Sequence, residues 1–324
     1  MQTLCNPRQE AATIMATIFI DGSAGTTGLR IRERLADRSD LRLITLAESE
    51  RKDPEARRAA INGADIVFLC LPDDAAREAA AMAANPSTVI IDTSTAHRTA
   101  EGWTYGFPEL TGQREKIRAA RRIANPGCHA TGFISLVAPL REAGLIVADA
   151  ALTCFSLTGY SGGGKKMIAE YEAEGRDPLL DAPRQYGLGQ KHKHLPEVQA
   201  LCALDRAPVF CPVVAPYYAG MEVTVPLFAD QVKAGPDELR AFYRSYYADG
   251  LVRCSDSAEG GFLSAGVLAG SDDLTVSVQG NGDRILLISR FDNLGKGASG
   301  AAIQNMNIAL GLPEDTGLVR STDE

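Results

Sequence analysis

Thiolate sulfur is a strong nucleophile toward acyl carbon. This chain places a cysteine where a thiolate would be favoured, in Asn125-Pro126-Gly127-Cys128-His129-Ala130-Thr131-Gly132. Pro126 and Gly127 make a turn. Residues 133–140 are apolar at helical spacing, and Arg141-Glu142 and Gly144 close the run. Cys128 is therefore predicted in the first turn of a helix, where unpaired N–H groups and the helix dipole favour a thiolate over a thiol. Most single cysteines are buried and inert, so the meaning of Cys128 depends on which groups could serve it.

The chain has four histidines, His97, His129, His192 and His194. Two fall in Lys191-His192-Lys193-His194-Leu195-Pro196-Glu197. A His-x-His pair can bind zinc, but no carboxylate or cysteine stands at a recognisable ligand spacing, so no metal is expected. Acid–base work beside a thiol suits imidazole, which titrates near neutral pH. Glu197 opens a helix predicted over 196–204 and could orient or charge an imidazole. The lesser alternative, for the segment read alone, is a solvated surface loop with flanking lysines. Arg98, in Asp92-Thr93-Ser94-Thr95-Ala96-His97-Arg98, follows the carboxyl end of a predicted strand. A guanidinium there suits a phosphate or carboxylate.

Two glycine-rich turns could hold anions. Asp21-Gly22-Ser23-Ala24-Gly25-Thr26-Thr27-Gly28 joins the first predicted strand to the first helix, with spacing G-x-x-G-x-x-G. Such a turn brings a pyrophosphate to a helix N-terminus. Gly22, Ser23, Gly25, Thr26, Thr27 and Gly28 are therefore candidate cofactor contacts. Ser161-Gly162-Gly163-Gly164 leads into a helix predicted over 165–174; Ser161, Gly162 and Gly164 are candidates for the nicotinamide side. The second strand ends in Ala47-Glu48-Ser49-Glu50-Arg51-Lys52. Glu48 suits the free ribose hydroxyl of NAD; Ser49, Arg51 and Lys52 suit the 2′-phosphate of NADP. We expect NADP, although a charged loop reads the same way.

The elements that must carry these residues change character along the chain. Apolar strands over 16–20, 41–46, 66–70 and 88–92, alternating with helices over 28–35 and 73–84, predict a parallel sheet covered on both faces and doubly wound. Beyond Cys128, residues 221–228 and 274–278 alternate apolar and polar, 284–291 forms another strand, and 236–247 a helix. That half reads as a mainly antiparallel sheet with helices on one face. A final helix is predicted over 298–310, after Asp292-Asn293-Leu294-Gly295-Lys296-Gly297. The fold class is therefore α/β, a Rossmann-type sheet followed by a second α+β domain.

Composition narrows the function classes. The 324 residues suffice for two cores, and 45% hydrophobic with 23% charged residues is ordinary for a globular chain. A net charge of −8 gives no general field for nucleic acid. No apolar run reaches membrane length and no signal peptide is apparent. The seven scattered cysteines form no C-x-x-C, which fits a reducing, cytoplasmic setting. Residues 1–14 differ in character from the rest of the chain and are expected to be a disordered or irregular extension.

Together these segments resemble the N-acetyl-gamma-glutamyl-phosphate reductases of arginine biosynthesis, most closely the shorter type 2 branch. The resemblance rests on the Phe19–Gly28 loop, Leu69-Cys70-Leu71-Pro72-Asp73-Asp74, the Asp92–Arg98 segment, Tyr105-Gly106-Phe107-Pro108-Glu109-Leu110, the Asn-Pro-Gly-Cys and His-Lys-His-Leu-Pro-Glu boxes, and Asp292–Ala298. It implies an NADP-binding Rossmann domain (15–127 with 293–324) and a catalytic and oligomerisation domain (128–292), as in aspartate-semialdehyde and glyceraldehyde-phosphate dehydrogenases. It implies a homodimer or homotetramer. The nucleophile falls on Cys128, the acid–base histidine on His192 or His194 with His194 preferred, and the supporting carboxylate on Glu197. Arg98, Asn125 and Tyr186 fall on the substrate side, and Asn293 on the cofactor. Gly164 stands where many members carry alanine. The implied reaction takes an acyl phosphate to an aldehyde through a Cys128 thioester, releasing phosphate. A related acyl-phosphate reductase such as an aspartate-semialdehyde dehydrogenase, a thiol hydrolase and a non-catalytic dinucleotide sensor are the competing readings.

Overall fold

The computed structural model describes residues 15–255 and 258–321. The expected extension over 1–14 lies outside the described residues.

Six parallel strands form the first sheet: β1 (Ala16–Asp21), β2 (Leu41–Ile44), β3 (Ile66–Leu69), β4 (Val89–Asp92), β5 (Thr104–Tyr105) and β6 (Arg122–Ala124). Their order is β2-β1-β3-β4-β6-β5. Successive residues of a strand face opposite sides, so the apolar runs feed two cores. Ile18, Ile20, Phe68 and Ile91 pack with Ile31 and Leu35 of α1 (Thr26–Leu35). On the other side Phe19, Val67, Leu69 and Ile90 meet α2 (Pro54–Asn62) and α3 (Asp73–Met82) through Ala60, Ile61, Ala76 and Ala79. Helix α4 (Gln113–Ala119) adds Ile117 to the first core. The doubly wound order predicted from alternating apolar strands and helices is observed.

Charged residues concealed α2. The Arg51-Lys52-Asp53-Pro54 segment reads as a solvated loop, yet Asp53 caps the helix by accepting the Glu55 N–H, with Pro54 at its first position.

Helix α5 (Cys128–Glu142) then crosses to a seven-stranded sheet of order β11-β12-β13-β10-β7-β9-β8. Its strands are β7 (Thr153–Gly159), β8 (Arg184–Gln185), β9 (Val209–Ala215), β10 (Met221–Phe228), β11 (Val252–Cys254), β12 (Leu274–Gly280) and β13 (Arg284–Phe291). The sheet is mixed: β7 runs parallel to β9 and β11 to β12, and the other pairings are antiparallel. Strands β7 and β9 escape pattern reading because Ser156 and Thr158 fall on the buried face and Pro212 interrupts the second run.

The inner face of this sheet packs Val223, Val225, Val276 and Leu287 against Phe133, Leu136 and Val137 of α5 and Leu239 and Tyr243 of α8 (Pro236–Tyr246). The outer face leaves Phe155, Val209, Phe228 and Leu286 exposed. Helices α6 (Gly164–Glu172) and α7 (Leu195–Leu201) lie between these strands in sequence. Helix α7 stops short of the predicted end, where Ala203 takes φ of 47°. After β13, a π-helical turn (Gly295–Ser299) leads into α9 (Gly300–Ala309), whose Ala302, Ile303 and Met306 return to the first core.

Candidate active site

Cys128 is the first residue of α5, directly after the loop leaving β6. Gly127 is the N-cap and offers no side chain to the helix end. A Cβ built there would lie 2.3 Å from Arg98 Nη1 and 2.4 Å from His194 Nε2. Only glycine lets a guanidinium and an imidazole close on this turn together. Cys128 is partly exposed in the wall of a cleft of about 410 Å³, which Arg98, His129, Tyr186, His192, Lys193 and His194 also line.

Glu197 braces the turn. Its buried carboxylate accepts the Gly127 N–H at 2.8 Å, the Tyr105 hydroxyl at 2.5 Å and Arg98 Nη1 at 3.0 Å. The expectation that Glu197 orients an imidazole is therefore corrected: the carboxylate engages the backbone before the cysteine, a tyrosine and an arginine. Arg98 braces the turn as well, from the wall of the same cleft. Its Nε donates to the Asn125 carbonyl and its Nη2 to the Thr93 carbonyl. This buried guanidinium is bound to protein acceptors along its length and works as a clamp between β4 and the cysteine turn. Asn125 is buried at the wall of the same cleft, where it donates to the Ala298 carbonyl and accepts from Asn305, tying the cysteine turn to the chain around α9.

The histidines meet around the cysteine. His194 is buried at the start of α7, with Nε2 toward Gly127 and Nδ1 without a hydrogen-bond partner. Its backbone N–H donates to His192 Nδ1 at 3.3 Å. His129, which sequence reasoning left without a role, is the third imidazole of the group, with ring centroid 5.5 Å from those of both His192 and His194. Its Nδ1 pairs with Ser156 Oγ at 2.7 Å and its Nε2 with the Tyr186 hydroxyl at 2.6 Å. This relay of hydrogen bonds anchors Tyr186 in the cleft wall. The available signal was adjacency to Cys128: one helical residue onward, the side chain turns inward to β7.

Burial opposes the expected ionisation of the thiol. It pushes the Cys128 thiol above its ordinary value, although Arg98, the His129 N–H and Lys193 pull the other way. Burial thus works against the thiolate that the helix N-terminus favours. A proton acceptor is therefore needed. Burial, followed by the charge on Arg98, holds His194 well below 6.5, and His192 is lowered to about 4, again mainly by burial. Both imidazoles are neutral at neutral pH and able to accept a proton. Among the described residues no group of three or more His, Cys, Asp or Glu side chains is placed to hold a metal ion.

The glycine loop builds a second and third cleft. Gly22 has φ of 86°, and a Cβ there would lie 2.3 Å from the Cys70 carbonyl oxygen, so the loop can lie on β3 only with glycine. Gly25 caps α1 without any side-chain bond to the helix end, so no side chain occupies its first N–H groups, which suit an anion. Gly25, Thr26 and Thr27 line one cleft with Thr93, Ser94, Thr95, Gly164 and Lys193. Gly22, Ser23, Glu48, Arg51 and Lys52 line another of about 360 Å³. This cradle of open N–H groups, hydroxyls and flanking cations fits a dinucleotide diphosphate. Arg32, also lining the second cleft, went unrecognised because it reads as one charge on a solvated helix face.

Two cofactor candidates are corrected. Gly28 packs against the Gly22 carbonyl and Cys70 and serves helix–strand contact, and Ser49 is exposed outside the residues lining these clefts. Ser161, Gly162, Gly164 and Asn293 do line the cysteine cleft. Asn293 donates to Ser161 Oγ and accepts the Gly220 N–H, locking the loop after β7 to the end of β13. Gly164 takes φ of 73°, a conformation that favours glycine.

Comparison with known proteins supplies the relationship. The family described as semialdehyde dehydrogenase, NAD binding domain, matches residues 17–120, and the semialdehyde dehydrogenase dimerisation domain matches residues 128–293. A Brucella suis protein named N-acetyl-gamma-glutamyl-phosphate reductase is 48% identical over 305 residues, 91% of this chain and 98% of that protein. The chain belongs to the N-acetyl-gamma-glutamyl-phosphate reductase family. Similarly named proteins of Brucella canis and Brucella abortus match at the same identity and coverage. Among solved structures, an aspartate semialdehyde dehydrogenase II of Vibrio cholerae shares the fold at TM-score 0.70 and 16% identity, over 92% of this chain and 98% of that one. A Candida albicans aspartate semialdehyde dehydrogenase with NADP aligns at TM-score 0.65 and 14% identity, over 92% and 99%. Membership explains why the dinucleotide loop and the cysteine turn open onto neighbouring clefts that share Thr26, Thr27, Thr93, Gly164 and Lys193.

Proposed function

We propose that this chain catalyses the NADP-dependent, reversible reductive dephosphorylation of N-acetyl-L-glutamyl 5-phosphate to N-acetyl-L-glutamate 5-semialdehyde, a step of L-arginine biosynthesis. The observation that carries this reading is a cysteine at a helix start and a buried neutral histidine against the preceding glycine, lining one cleft that shares its wall with a dinucleotide cradle. In this reading, residues 15–127 with 293–324 hold the cofactor and 128–292 carry the chemistry.

Cys128 cannot attack as a thiol, so His194 Nε2 takes its proton as the acyl phosphate enters. The Cys128 sulfur then bonds to the acyl carbon, and the carbon–oxygen bond to phosphate breaks with its electron pair leaving on phosphate. A thioester on Cys128 remains, which divides one difficult reduction into two easier steps. When bound, the reduced nicotinamide supplies the hydride. The His194 imidazolium donates a proton to the developing oxyanion and recovers it as the thiohemiacetal collapses to aldehyde. Tyr186, fixed by His129, and His192 line the substrate side. Arg32, Arg51 and Lys52 surround the second cleft with positive charge opposed by Glu48, a balance that favours the 2′-phosphate of NADP. A free nucleophilic thiol suits a reducing cytoplasm, and no helix among the described residues is long and apolar enough to cross a membrane.

The reverse reaction tests substrate and cofactor together. N-acetylglutamate 5-semialdehyde, phosphate and NADP⁺ are expected to produce NADPH absorbance, strictly dependent on phosphate and much weaker with NAD⁺. Activity with aspartate semialdehyde alone would replace the substrate, and equal rates with NAD⁺ would remove the cofactor preference.

The outer face of the second sheet, with Phe155, Val209, Phe228 and Leu286 exposed, fits a second copy of this chain. This agrees with the description of its family as a dimerisation domain. Light scattering is expected to report a dimer or tetramer, and Phe155→Glu to shift the mass downward. A monomeric mass for the unaltered chain would refute this interface.

A further inference from the structure

Tyr186 lines the cleft with Cys128, and the direction of its hydroxyl's hydrogen bond is decided behind the cleft wall. His129 is buried, and burial lowers its imidazole to about 3, so the ring is neutral. A neutral imidazole carries one N–H and one bare nitrogen, so it donates to one partner and accepts from the other. Both partners here are hydroxyls: Ser156 Oγ on Nδ1 at 2.7 Å and Tyr186 on Nε2 at 2.6 Å. Two polarities are therefore open, and Ser156 decides between them. Its side chain is fully buried, and among the described residues its hydroxyl has no hydrogen-bond partner besides His129. Were Nδ1 to donate, the Ser156 hydrogen would be buried without an acceptor, the costly arrangement. Ser156 therefore donates to Nδ1, and Nε2 carries the N–H and donates to the Tyr186 oxygen. The Tyr186 hydrogen is left for the cleft, since among the described residues nothing else accepts it.

We propose that Tyr186 donates this hydrogen bond to the acyl oxygen as that oxygen gains charge on Cys128, with His129 as the positioning residue that fixes its direction. The proposal rests on the thioester reading above. A donor whose direction is set before the reaction needs no reorganisation when the charge develops. Burial, and after it the charge of Cys128, raise the Tyr186 phenol, so the group keeps its hydrogen at neutral pH. Tyr186 therefore stabilises the oxyanion by donation alone, and the transferred proton still passes through His194.

The first test requires no turnover. Long-range proton–nitrogen NMR on protein with isotope-labelled histidine should show His129 as the neutral Nε2–H tautomer, assigned by its absence from His129→Gln. The Nδ1–H tautomer overturns the proposal. The second test is kinetic. Tyr186→Phe is expected to lower kcat of the reverse reaction by roughly 10²–10³-fold, the usual worth of an oxyanion donor, with the KM for aldehyde within about threefold. His129→Phe should lower kcat similarly, and His129→Gln, whose amide N–H replaces Nε2–H, should restore most of it. Iodoacetamide should alkylate Cys128 in Tyr186→Phe at nearly the unaltered rate, because the donor serves the acyl group and not the thiol. A raised KM at unchanged kcat in Tyr186→Phe overturns the proposal and assigns the hydroxyl to ground-state binding. Equal loss in His129→Gln and His129→Phe overturns the positioning role; should His129→Phe not fold, the tautomer and the His129→Gln rate still decide it. If the unaltered protein turns over a different aldehyde, the same variants are read on that substrate, and the donor is judged apart from the substrate assignment. Turnover retained in Cys128→Ala removes the thioester and the donor together, whereas a donor that fails while Cys128→Ala is inactive fails alone.

Discussion

Cys128→Ala is expected to abolish NADPH formation from aldehyde and phosphate while leaving NADP binding unchanged. The loss should be total within detection, because alanine offers no atom on which a thioester can form. The fold should survive: Cys128 opens α5 at the cleft wall, while residues 129–140 of that helix are buried and carry its packing. The measurement pairs turnover with the dinucleotide dissociation constant and a thermal melt. Retained turnover would sink the thioester mechanism, and a lost melt would show that the cysteine serves packing. The pH dependence has a definite sign. Burial raises the thiol, so the thiolate fraction is small at neutral pH and grows as pH rises. Alkylation of Cys128 in the unliganded protein should therefore accelerate toward alkaline pH, with its midpoint above that of an ordinary thiol.

His194→Asn is expected to lower kcat/KM by roughly 10²–10⁴-fold, the usual worth of a positioned acid–base group. His192→Asn should cost markedly less. The difference comes from placement: His194 turns Nε2 toward the Gly127 turn from a buried position, whereas His192 is half-buried at the cleft wall and accepts the His194 backbone N–H. Because burial holds His194 well below 6.5, the neutral base persists as pH falls through that value, and activity should fail only in more acidic solution. An acid limb centred near 6.5, or equal mild losses in both variants, would remove the single-histidine role.

The cysteine turn shows how much of this was legible beforehand. Pro126, Gly127 and the apolar run after them announce a helix start, and Cys128 is found there, because turn residues and apolar periodicity act over a few residues. The centre of the doubly wound sheet was legible for the same reason: β1, β3 and β4 are short, continuous apolar runs buried on both faces, whereas the short strands β5 and β6 at one end of the sheet carry no such run. The alternating strands β10 and β12 announced a sheet with two unlike faces. Strands β7 and β9 did not, since their polar positions and Pro212 are tolerated only by particular neighbours.

What the sequence by itself determined is which groups are candidates for the chemistry: a cysteine after a Pro-Gly turn, a His-x-His segment, a glycine loop at the first strand–helix junction. Tertiary structure alone decided how these groups are employed. Glu197 stands three residues from His194 in sequence, yet its carboxylate is taken by Gly127, Tyr105 and Arg98. Arg98, read as a ligand cation, also braces the turn through bonds to the Asn125 and Thr93 carbonyls, while it and Lys193 line the same cleft. The thiol, read as a thiolate at a helix start, is raised by burial that no local pattern encodes. Hydrogen-bond partnership and desolvation depend on what the chain brings within a few ångströms from far along the sequence, whereas turns, caps and periodicity depend on near neighbours.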